Sequence, residues 1–409
     1  MSNNLDYDVI VVGGGPVGCA IARDIAAKGY QTLILEEHQK IGEPVHCSGL
    51  ISERTLKISR VSSKVVLNQL KGALVYGPGK NVLELKGEKV YALVIDRGTF
   101  DNAIAKQALR AGARILCNTR ATKFNYLDKG VQVEVVSVKG GNCTFTSRLL
   151  IGADGHHSII ARGLNLPRGL EKILLFAAEV SLPDHNDSFA HIFLDRCLAP
   201  GWFGWLFPAG NNLARVGLGI SPLVGESKGQ APHFLFEKLV ARYPAVFQGM
   251  EVLQVTSGIV PIGILERTYD AHVLLAGDAA AHVKPISGGG LYLGLQAAEC
   301  CAAAAIEALR AQNFTRDFLS AYQKMWETAI GLEIRCGLRH RETFLTMKNE
   351  EMESLLGFLN KPAWQKLILK YGDLDYHSRL AARLAFIPFW ASRFLTAGLR
   401  GLLGMITLI

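Results

Sequence analysis

The sequence lacks the long apolar run that a membrane-spanning helix requires. Such a helix needs about 20 consecutive apolar residues, and no uninterrupted stretch of this chain approaches that length. The first residues also lack the basic, apolar and small-residue segments of a secretory signal peptide. We therefore expect a cytoplasmic location.

Cysteine is too dispersed to predict a metal centre or a disulfide framework. The 8 cysteines include no C-x-x-C pair and no cluster with histidine at metal-ligand spacing, so we expect free thiols and no metal. Internal repeats and low-complexity segments are also lacking. With 49% hydrophobic and 20% charged residues, the composition is typical of packed globular domains and excludes a disordered chain.

Basic residues outnumber acidic ones, and the formal net charge is +8. This excess favours an anionic partner, which by charge alone includes nucleic acid, anionic lipid and phosphorylated small molecules. No recognisable nucleic-acid-binding module accompanies the basic residues. We therefore expect a phosphorylated cofactor or substrate, and no nucleic acid.

Residues 7–36 contain the most informative pattern in the chain. A short β-branched run is followed by Gly13, Gly15 and Gly18 at the G-x-G-x-x-G spacing, then by a helical stretch, a second apolar run and Glu36. Glycines at these positions allow a tight turn, close approach of a pyrophosphate, and close packing of the helix on the strand. An acid about 20 residues downstream can accept hydrogen bonds from an adenosine ribose. The pattern predicts a Rossmann-like unit that binds a dinucleotide.

Two loops that follow have both a functional and a structural interpretation. Cys47 lies in an irregular loop just after the β-α-β unit, where it is either a functional thiol beside the cofactor or a buried apolar residue. Arg97 precedes a helix predicted over residues 102–111, where it either meets an anionic cofactor or forms a surface ion pair.

Two further buried strands end in turns that contain an acid. One leads to Asp154, which by itself is typical of turn chemistry, and the other leads to Gly277 and Asp278. Three glycines, residues 288–290, then open a helix predicted over residues 291–311. The backbone N–H groups and the positive end of the helix dipole at such a start suit a negatively charged group.

Short strands separated by turns are predicted within residues 67–93 and over residues 174–182, 191–194, 204–207 and 213–220, which predicts an inserted antiparallel sheet. Within it, the segment PGWFGWLFP is rich in aromatic residues. Alternation along a strand places Phe203, Trp205 and Phe207 on one face. These rings either fill a core or form the wall of a long apolar cavity.

Four segments, in their order along the chain, together resemble the FAD-dependent para-hydroxybenzoate hydroxylase-type superfamily. They are GGGPVG with Glu36, DRGTFD, GADGHHS and AGDAAAHVKPISGGG. PVHCSGL and WFGWLFP narrow the resemblance to the geranylgeranyl reductase family, flavoproteins that saturate isoprenoid double bonds. The resemblance covers residues 7–311. It departs in one place, because Phe203 stands where the family pattern Tyr-x-Trp-x-Phe-Pro has a tyrosine hydroxyl.

The resemblance implies FAD as the cofactor and an isoprenoid lipid as the substrate, and it assigns residues to both. The ADP half of FAD is assigned to Gly13, Gly15, Gly18 and Glu36. Other cofactor contacts are assigned to Pro16, Arg97, Asp154, Gly277, Asp278, Pro285, Gly288 and Gly289, of which the last two would face the isoalloxazine. Cys47 belongs to the family's P-x-x-C-x-G element at the flavin and is the candidate catalytic residue. The substrate wall is assigned to Phe203, Trp205 and Phe207.

The predicted fold class is α/β (α+β overall), with a Rossmann-like FAD-binding domain, an inserted antiparallel β-sheet substrate domain and a helical C-terminal region. The FAD domain is predicted over residues 1–60, 95–165 and 266–311, and the substrate domain over 61–94 and 166–265. The helical region is predicted over residues 312–409. Near its end, Arg393 and Arg400 share one helical face opposite leucine residues. This pattern is typical either of a helix lying peripherally on a membrane or of a dimer or domain contact.

Three functions are consistent with these patterns. The leading prediction is an FAD-dependent reductase of isoprenoid double bonds. An FAD-dependent aromatic monooxygenase uses the same scaffold, and fold alone does not separate the two. The third is a flavin-binding protein without catalysis. No second G-x-G-x-x-G motif marks a nicotinamide site, so NAD(P)H and ferredoxin are both candidate reductants.

Overall fold

A computed structural model of the chain describes residues 5–137, 140–166, 170–183 and 186–384, with side chains up to residue 380. The pattern around Arg393 and Arg400 lies outside these ranges. Within them, every helix is too short or too polar to cross a membrane.

The strands of the described ranges form three sheets. They are β1 (Tyr7–Val12), β2 (Thr32–Leu35), β3 (Leu50–Ile51), β4 (Val66–Leu70), β5 (Gly72–Tyr76), β6 (Val82–Lys86), β7 (Ala92–Ile95), β8 (Arg114–Leu116), β9 (Thr119–Leu127), β10 (Gly130–Ser137), β11 (Asn142–Gly152), β12 (Glu171–Ser181), β13 (Phe189–Phe193), β14 (Gly204–Gly210), β15 (Leu213–Ile220), β16 (Glu251–Ile262), β17 (Tyr269–Asp270) and β18 (Val273–Leu275).

The α-helices lie between these strands and in the C-terminal region. They are α1 (Pro16–Ala26), α2 (Glu53–Ser59), α3 (Arg97–Arg110), α4 (Ile159–Gly163), α5 (Pro232–Arg242), α6 (Leu291–Ala311), α7 (Arg316–Trp326), α8 (Leu332–Thr346), α9 (Asn349–Leu359), α10 (Pro362–Tyr371) and α11 (His377–Leu384).

The first sheet contains five parallel strands in the order β18-β11-β1-β2-β8. Its central strand β1 is buried over its last four residues because helices cover the sheet, and parallel sheets require this cover. The helices α1, α3 and α6 share one core cluster with one face of the sheet. Strands β9 and β10 extend it as an antiparallel hairpin onto β11. The predicted Rossmann-like domain is confirmed.

Helix α3 begins earlier than the sequence pattern predicted. It starts at Arg97 rather than at residue 102, because the Asp96 side chain accepts a hydrogen bond from Thr99 N at 2.8 Å and caps the helix. Arg97 is therefore the first residue of the helix instead of a loop residue before it.

The second sheet has the order β16-β12-β15-β14-β13-β5-β6 and is antiparallel except for the pair β5 and β13. Its strands alternate between two cores. On β15, Ala214, Val216 and Leu218 pack into the core that includes α5, while Leu213 packs on the opposite side with the C-terminal helices. A third small sheet, β3-β7-β4, joins this sheet to the FAD domain.

The described part of the C-terminal region is helical, as predicted, and it contacts both domains. In α7, Tyr322 donates to Leu275 O at 2.7 Å and Trp326 Nε1 donates to Thr268 Oγ1 at 2.8 Å, so this helix packs on the FAD domain. In α9, the Glu353 carboxylate accepts three backbone N–H groups of the β5–β6 turn at 2.8 to 2.9 Å. The later helices therefore cover the second sheet. The domain bounds stay a prediction.

Candidate active site

The predicted cofactor residues follow the carboxyl ends of four adjacent parallel strands. Gly13 follows β1, Glu36 follows β2, Asp154 follows β11 and Gly277 follows β18. Ligands of open α/β sheets bind at this edge. The fold thus brings together four segments that the sequence separates by more than two hundred residues.

The three glycines of the G-x-G-x-x-G motif differ in what surrounds them: two have no room for a side chain, and one faces open space. A Cβ on Gly13 would lie 2.2 Å from Ala153 O, and a Cβ on Gly18 would lie 2.1 Å from Gly13 O. A Cβ on Gly15 would meet nothing within 4 Å. Gly15 also caps α1 without a side chain, with Pro16 at the first turn, so the helix N-terminus is open to an anion. This cradle fits a pyrophosphate.

Glu36 is buried at the end of β2, with its carboxylate directed at the glycine turn. Its Oε2 accepts from Gly14 N at 2.7 Å, and its Oε1 accepts from His38 N at 2.8 Å. The His38 ring is a third partner, with Nδ1 2.6 Å from Oε1. A carboxylate has about four acceptor positions, so one is free for a ribose hydroxyl, and a second becomes free when the His38 side chain, which is 46% exposed, turns away. The geometry agrees with the predicted role in the ADP half of FAD.

Several buried polar atoms of the cofactor segments and the aromatic run have no hydrogen-bond partner within the part of the chain that the structure describes. They include Asp154 Oδ1, Ser287 Oγ, both ring nitrogens of His282 and Trp205 Nε1. Asp154 uses its other oxygen to accept from Ile159 N at 2.7 Å. Since buried polar atoms are nearly always paired, these orphans indicate a site for a polar ligand. Together with the open turn at Gly15, they fit FAD.

A buried lysine packs against the glycine turn that precedes α6. A Cβ on Gly289 would lie 2.5 Å from Cε and 3.0 Å from Nζ of Lys284, so this ammonium lies directly behind the turn. It donates to Leu374 O at 2.6 Å and lies 3.7 Å from the Asp375 carboxylate. Burial lowers the pKa of Lys284, and Asp375 opposes that shift. A Cβ on Gly288 would meet the Trp202 ring at 3.1 Å, so the turn has no room for side chains.

Cys47 and Arg97 lie close enough beside these turns to interact electrostatically. The Arg97 guanidinium pairs with Asp101 through bonds of 3.2 and 3.0 Å and also interacts with the Cys47 thiol. Only 14% of the Arg97 side chain is exposed, so this is not the surface ion pair that the sequence left open. Gly49 N donates to Cys47 Sγ at 3.4 Å and holds the thiol in its turn.

Asp278 lies beside the glycines that open α6, where a Cβ on Gly290 would be 3.0 Å from its Oδ1. Burial raises the pKa of Asp278 to about 6, while Arg97 lowers it. Because an exposed aspartate has a pKa of about 3.9, the ionised carboxylate costs stability. This cost is complete above about pH 6 and disappears below about pH 4.

Replacing Asp278 by asparagine is therefore expected to raise the melting temperature of the ligand-free protein more at pH 7 than at pH 4. The amide removes the buried charge, and the wild-type carboxyl is already neutral at the lower pH. Thermal unfolding followed by circular dichroism at both pH values measures the difference. An equal shift at the two pH values would contradict the assignment.

The aromatic run lies on the face of the second sheet that meets the C-terminal helices. Phe203 stacks on Trp202 with ring centroids 5.2 Å apart, and Trp205 stacks on Phe207 at 6.4 Å. Phe207 lines an apolar cavity of about 40 Å³. The other lining residues come from the sheet and from the segment 368–374; they include Leu50, Ala73, Leu85, Ala190, Ile192, Ile368 and Leu374.

Sequence reasoning missed three residues of this site. Trp202 meets Gly288, Lys284 supports Gly289, and Arg215 bonds to the carbonyl of Ser48 at 3.0 Å. Alternation puts Arg215 on the face opposite Ala214 and Val216, which from the sequence alone reads as the outer face, and only the packing of the C-terminal helices buries it. Trp202 precedes β14, so alternation along that strand does not reach it. Lys284 has no local signal.

Known flavoproteins and their relatives resemble this chain over most of its length. The sequence model described as "FAD binding domain" matches residues 6–325. A digeranylgeranylglycerophospholipid reductase from Methanothrix thermoacetophila is 32% identical over 95% of this chain and 99% of its own. A protein named as uncharacterized from Methanocaldococcus jannaschii is 32% identical over 93% of this chain and 95% of its own.

A solved structure shares the fold at lower sequence identity. It is a geranylgeranyl bacteriochlorophyll reductase-like protein from Thermoplasma acidophilum, with a TM-score of 0.83 and 22% identity, covering 96% of this chain and 99% of that one. The predicted fold class and family resemblance are confirmed. The chain therefore belongs to the FAD binding domain family and is a flavin-dependent oxidoreductase of the geranylgeranyl reductase type.

Proposed function

We propose that this protein saturates carbon–carbon double bonds of geranylgeranyl or related isoprenoid chains, carried on a prenyl lipid or a prenyl diphosphate. FAD, when bound and reduced, supplies the hydride for one carbon of the double bond. The chain supplies the cavity that positions the alkene and the proton for the other carbon. The name of the M. thermoacetophila relative supports a phospholipid substrate.

The observation that carries this proposal is that residues of the cavity wall lie next to the segments that hold the glycine turn and Cys47. Leu374 lines the cavity, and its carbonyl accepts the hydrogen bond from Lys284, which lies behind Gly289. Leu50 lines the cavity three positions after Cys47. An apolar chain in this cavity would therefore point at the thiol and at the turn assigned to the isoalloxazine.

The residues divide the chemistry between positioning and proton transfer. An isolated alkene is barely polarised, so alignment in a site without water must supply much of the rate. The cavity walls, including Phe207, provide the apolar surface. Cys47 Sγ holds the proton, and the neighbouring Arg97 stabilises the negative charge that remains on sulfur after transfer.

The size of the cavity implies that substrate entry moves its wall. A volume of about 40 Å³ is close to the share of one water molecule in the liquid, about 30 Å³. A prenyl chain is far larger. Since Ile368 of α10 is buried against the sheet and also lines the cavity, we infer that α10 shifts away from the sheet when the chain enters.

Mass spectrometry of lipids tests the function directly. A host that makes geranylgeranyl lipids should gain species heavier by two hydrogens per reduced bond when it expresses this protein. The matched control is the same host expressing the Cys47→Ser variant. Unchanged lipids would overturn the proposal, and a product heavier by one oxygen would identify a monooxygenase instead. Anaerobic reduction of the purified protein by NADPH, NADH or reduced ferredoxin identifies the donor.

We further propose that the C-terminal segment binds the membrane surface, which would place the enzyme beside a lipid substrate. Arg393 and Arg400 supply positive charge next to apolar residues. Deleting residues 385–409 is expected to release the protein from vesicles that contain anionic lipid while the flavin spectrum stays unchanged. Added salt should weaken binding of the full chain. Equal vesicle binding by the shortened protein would contradict this proposal.

A further inference from the structure

Strand β15 places one charged residue on the apolar face that meets the C-terminal helices. In the register of the sheet, Trp205 is paired with Gly217 and Phe207 with Arg215. Residues that are paired across neighbouring strands have their side chains on the same face of a sheet, so Arg215 points to the same side as Phe207. Trp205 shares this face because it lies two positions before Phe207 on the same strand. Only 11% of its side chain is exposed. A guanidinium is costly to bury, so it persists where its donors are paired.

The donors of Arg215 are paired with two backbone segments of the candidate active site. Nη1 donates to Ser48 O at 3.0 Å and to Ile95 O at 2.8 Å. Ser48 directly follows Cys47, and Ile95 directly precedes the cap of α3, which begins at Arg97. The Arg215 guanidinium thus joins the turn that carries Cys47 to strand β7, which leads to Arg97.

The turn is built around this guanidinium. Gly49 has a φ of +73°, and a Cβ at that position would lie 2.2 Å from Arg215 Nη1. The Gly49 carbonyl accepts from Ile95 N at 3.0 Å, and Gly49 N donates to Cys47 Sγ at 3.4 Å. Any side chain at this glycine would displace Arg215, so the two residues depend on each other.

A second contact fixes the other side of the thiol. His46 Nδ1 lies 2.8 Å from Thr256 Oγ1 on β16. Both neighbours of Cys47 are therefore attached to the second sheet, whereas Arg97 belongs to a helix of the FAD domain. The position of the thiol relative to the cofactor site is set by the sheet that also forms the cavity wall.

We propose that Arg215 is a positioning residue that holds Cys47 beside Arg97 at the junction of the cavity and the cofactor site. This rests on the proposed function, which makes Cys47 the proton source. Arg215 acts through the carbonyls it binds and does not touch the thiol. Lysine at this position would keep the charge and could reach the carbonyls that Nη1 now bonds, but it would lose the rigid guanidinium plane and its Nε, which donates to Glu179 Oε2 at 3.4 Å.

Alkylation of Cys47 tests the proposal without a substrate. The FAD-loaded protein is labelled at about pH 9.5, above the ordinary thiol pKa of about 8.5, so that access to the sulfur rather than its ionisation sets the rate. Under these conditions Arg215→Gln is expected to raise the iodoacetamide labelling rate of Cys47 about fivefold or more relative to the exposed Cys143, because the turn loses its tether. Labelling of the buried Cys301 should stay unchanged, since general loosening of the fold would raise both. Arg215→Lys should fall between the wild type and Arg215→Gln. Arg120→Gln, an exposed site on β9, is the matched control.

The same variants are then compared in anaerobic single turnover. Arg215→Gln should slow reoxidation by prenyl substrate at least tenfold and leave reduction by dithionite unchanged, and Arg215→Lys should restore part of the rate. Unchanged Cys47 labelling in Arg215→Gln would overturn the positioning role. If labelling changes as expected while the wild type reduces no prenyl substrate, the positioning role stands and the proposed function fails.

Discussion

Replacing Cys47 by serine is expected to slow reoxidation of the reduced protein by a prenyl substrate by on the order of 10²-fold, the usual scale for loss of general acid catalysis. A hydroxyl has nearly the shape of a thiol but is a much weaker acid. Gly49 N, which now donates to the sulfur at 3.4 Å, can donate to the serine oxygen as well. The turn should therefore keep its shape, and the loss should appear in the rate alone.

Stopped-flow absorbance under anaerobic conditions measures this rate after reduction with dithionite. FAD retention and the reduction step should match the wild type, because the substitution leaves Glu36 and the glycine turns intact. Cys143→Ser, at an exposed position, is the matched control. Reoxidation of Cys47→Ser within a factor of a few of the wild type would remove the thiol as proton donor and leave an ordered water for that role. The reductase assignment would stand.

Replacing Glu36 by alanine is expected to weaken FAD binding by about 10²-fold. Two hydrogen bonds from ribose hydroxyls to a carboxylate contribute about 3 kcal/mol at the low end of the range for charged acceptors, and that energy corresponds to this factor. The substitution also removes the acceptor that holds Gly14 N at 2.7 Å, so the glycine turn loses part of its support.

Titration of the FAD-free protein with FAD, followed by flavin fluorescence, gives the dissociation constant. Glu37→Ala removes an exposed carboxylate from the neighbouring position and should bind FAD as the wild type does. If Glu36→Ala also binds within about threefold of the wild type, the ADP half of the cofactor does not lie at β2 as the motif predicts.

Elements with a strong local pattern were predicted closely from the sequence. The helix of residues 291–311 has the predicted bounds, because its helical period is visible in consecutive positions. The start of α3 was placed five residues late, since a cap at Asp96 decides it and not the apolar period. Strand β16 was missed, because the first half of this edge strand is exposed and shows no alternation.

The assignment of the cofactor residues stays a prediction, and it rests for each residue on its own sequence neighbours. A glycine is required at Gly13 by backbone conformation, and Glu36 follows from its place at the end of a strand. Both requirements can be recognised from a few consecutive residues. The sequence alone therefore identified the Rossmann-like unit and the order of its motifs.

The tertiary structure alone decided how the thiol is held and what surrounds it. The partners Arg215 and Ser48 are 167 positions apart, and Lys284 and Leu374 are 90 apart. Such contacts depend on which strands become neighbours in a sheet and on where a later helix packs, and local propensity specifies neither. The physical reason is that burying a charge requires partners, and the fold collects those partners from distant segments.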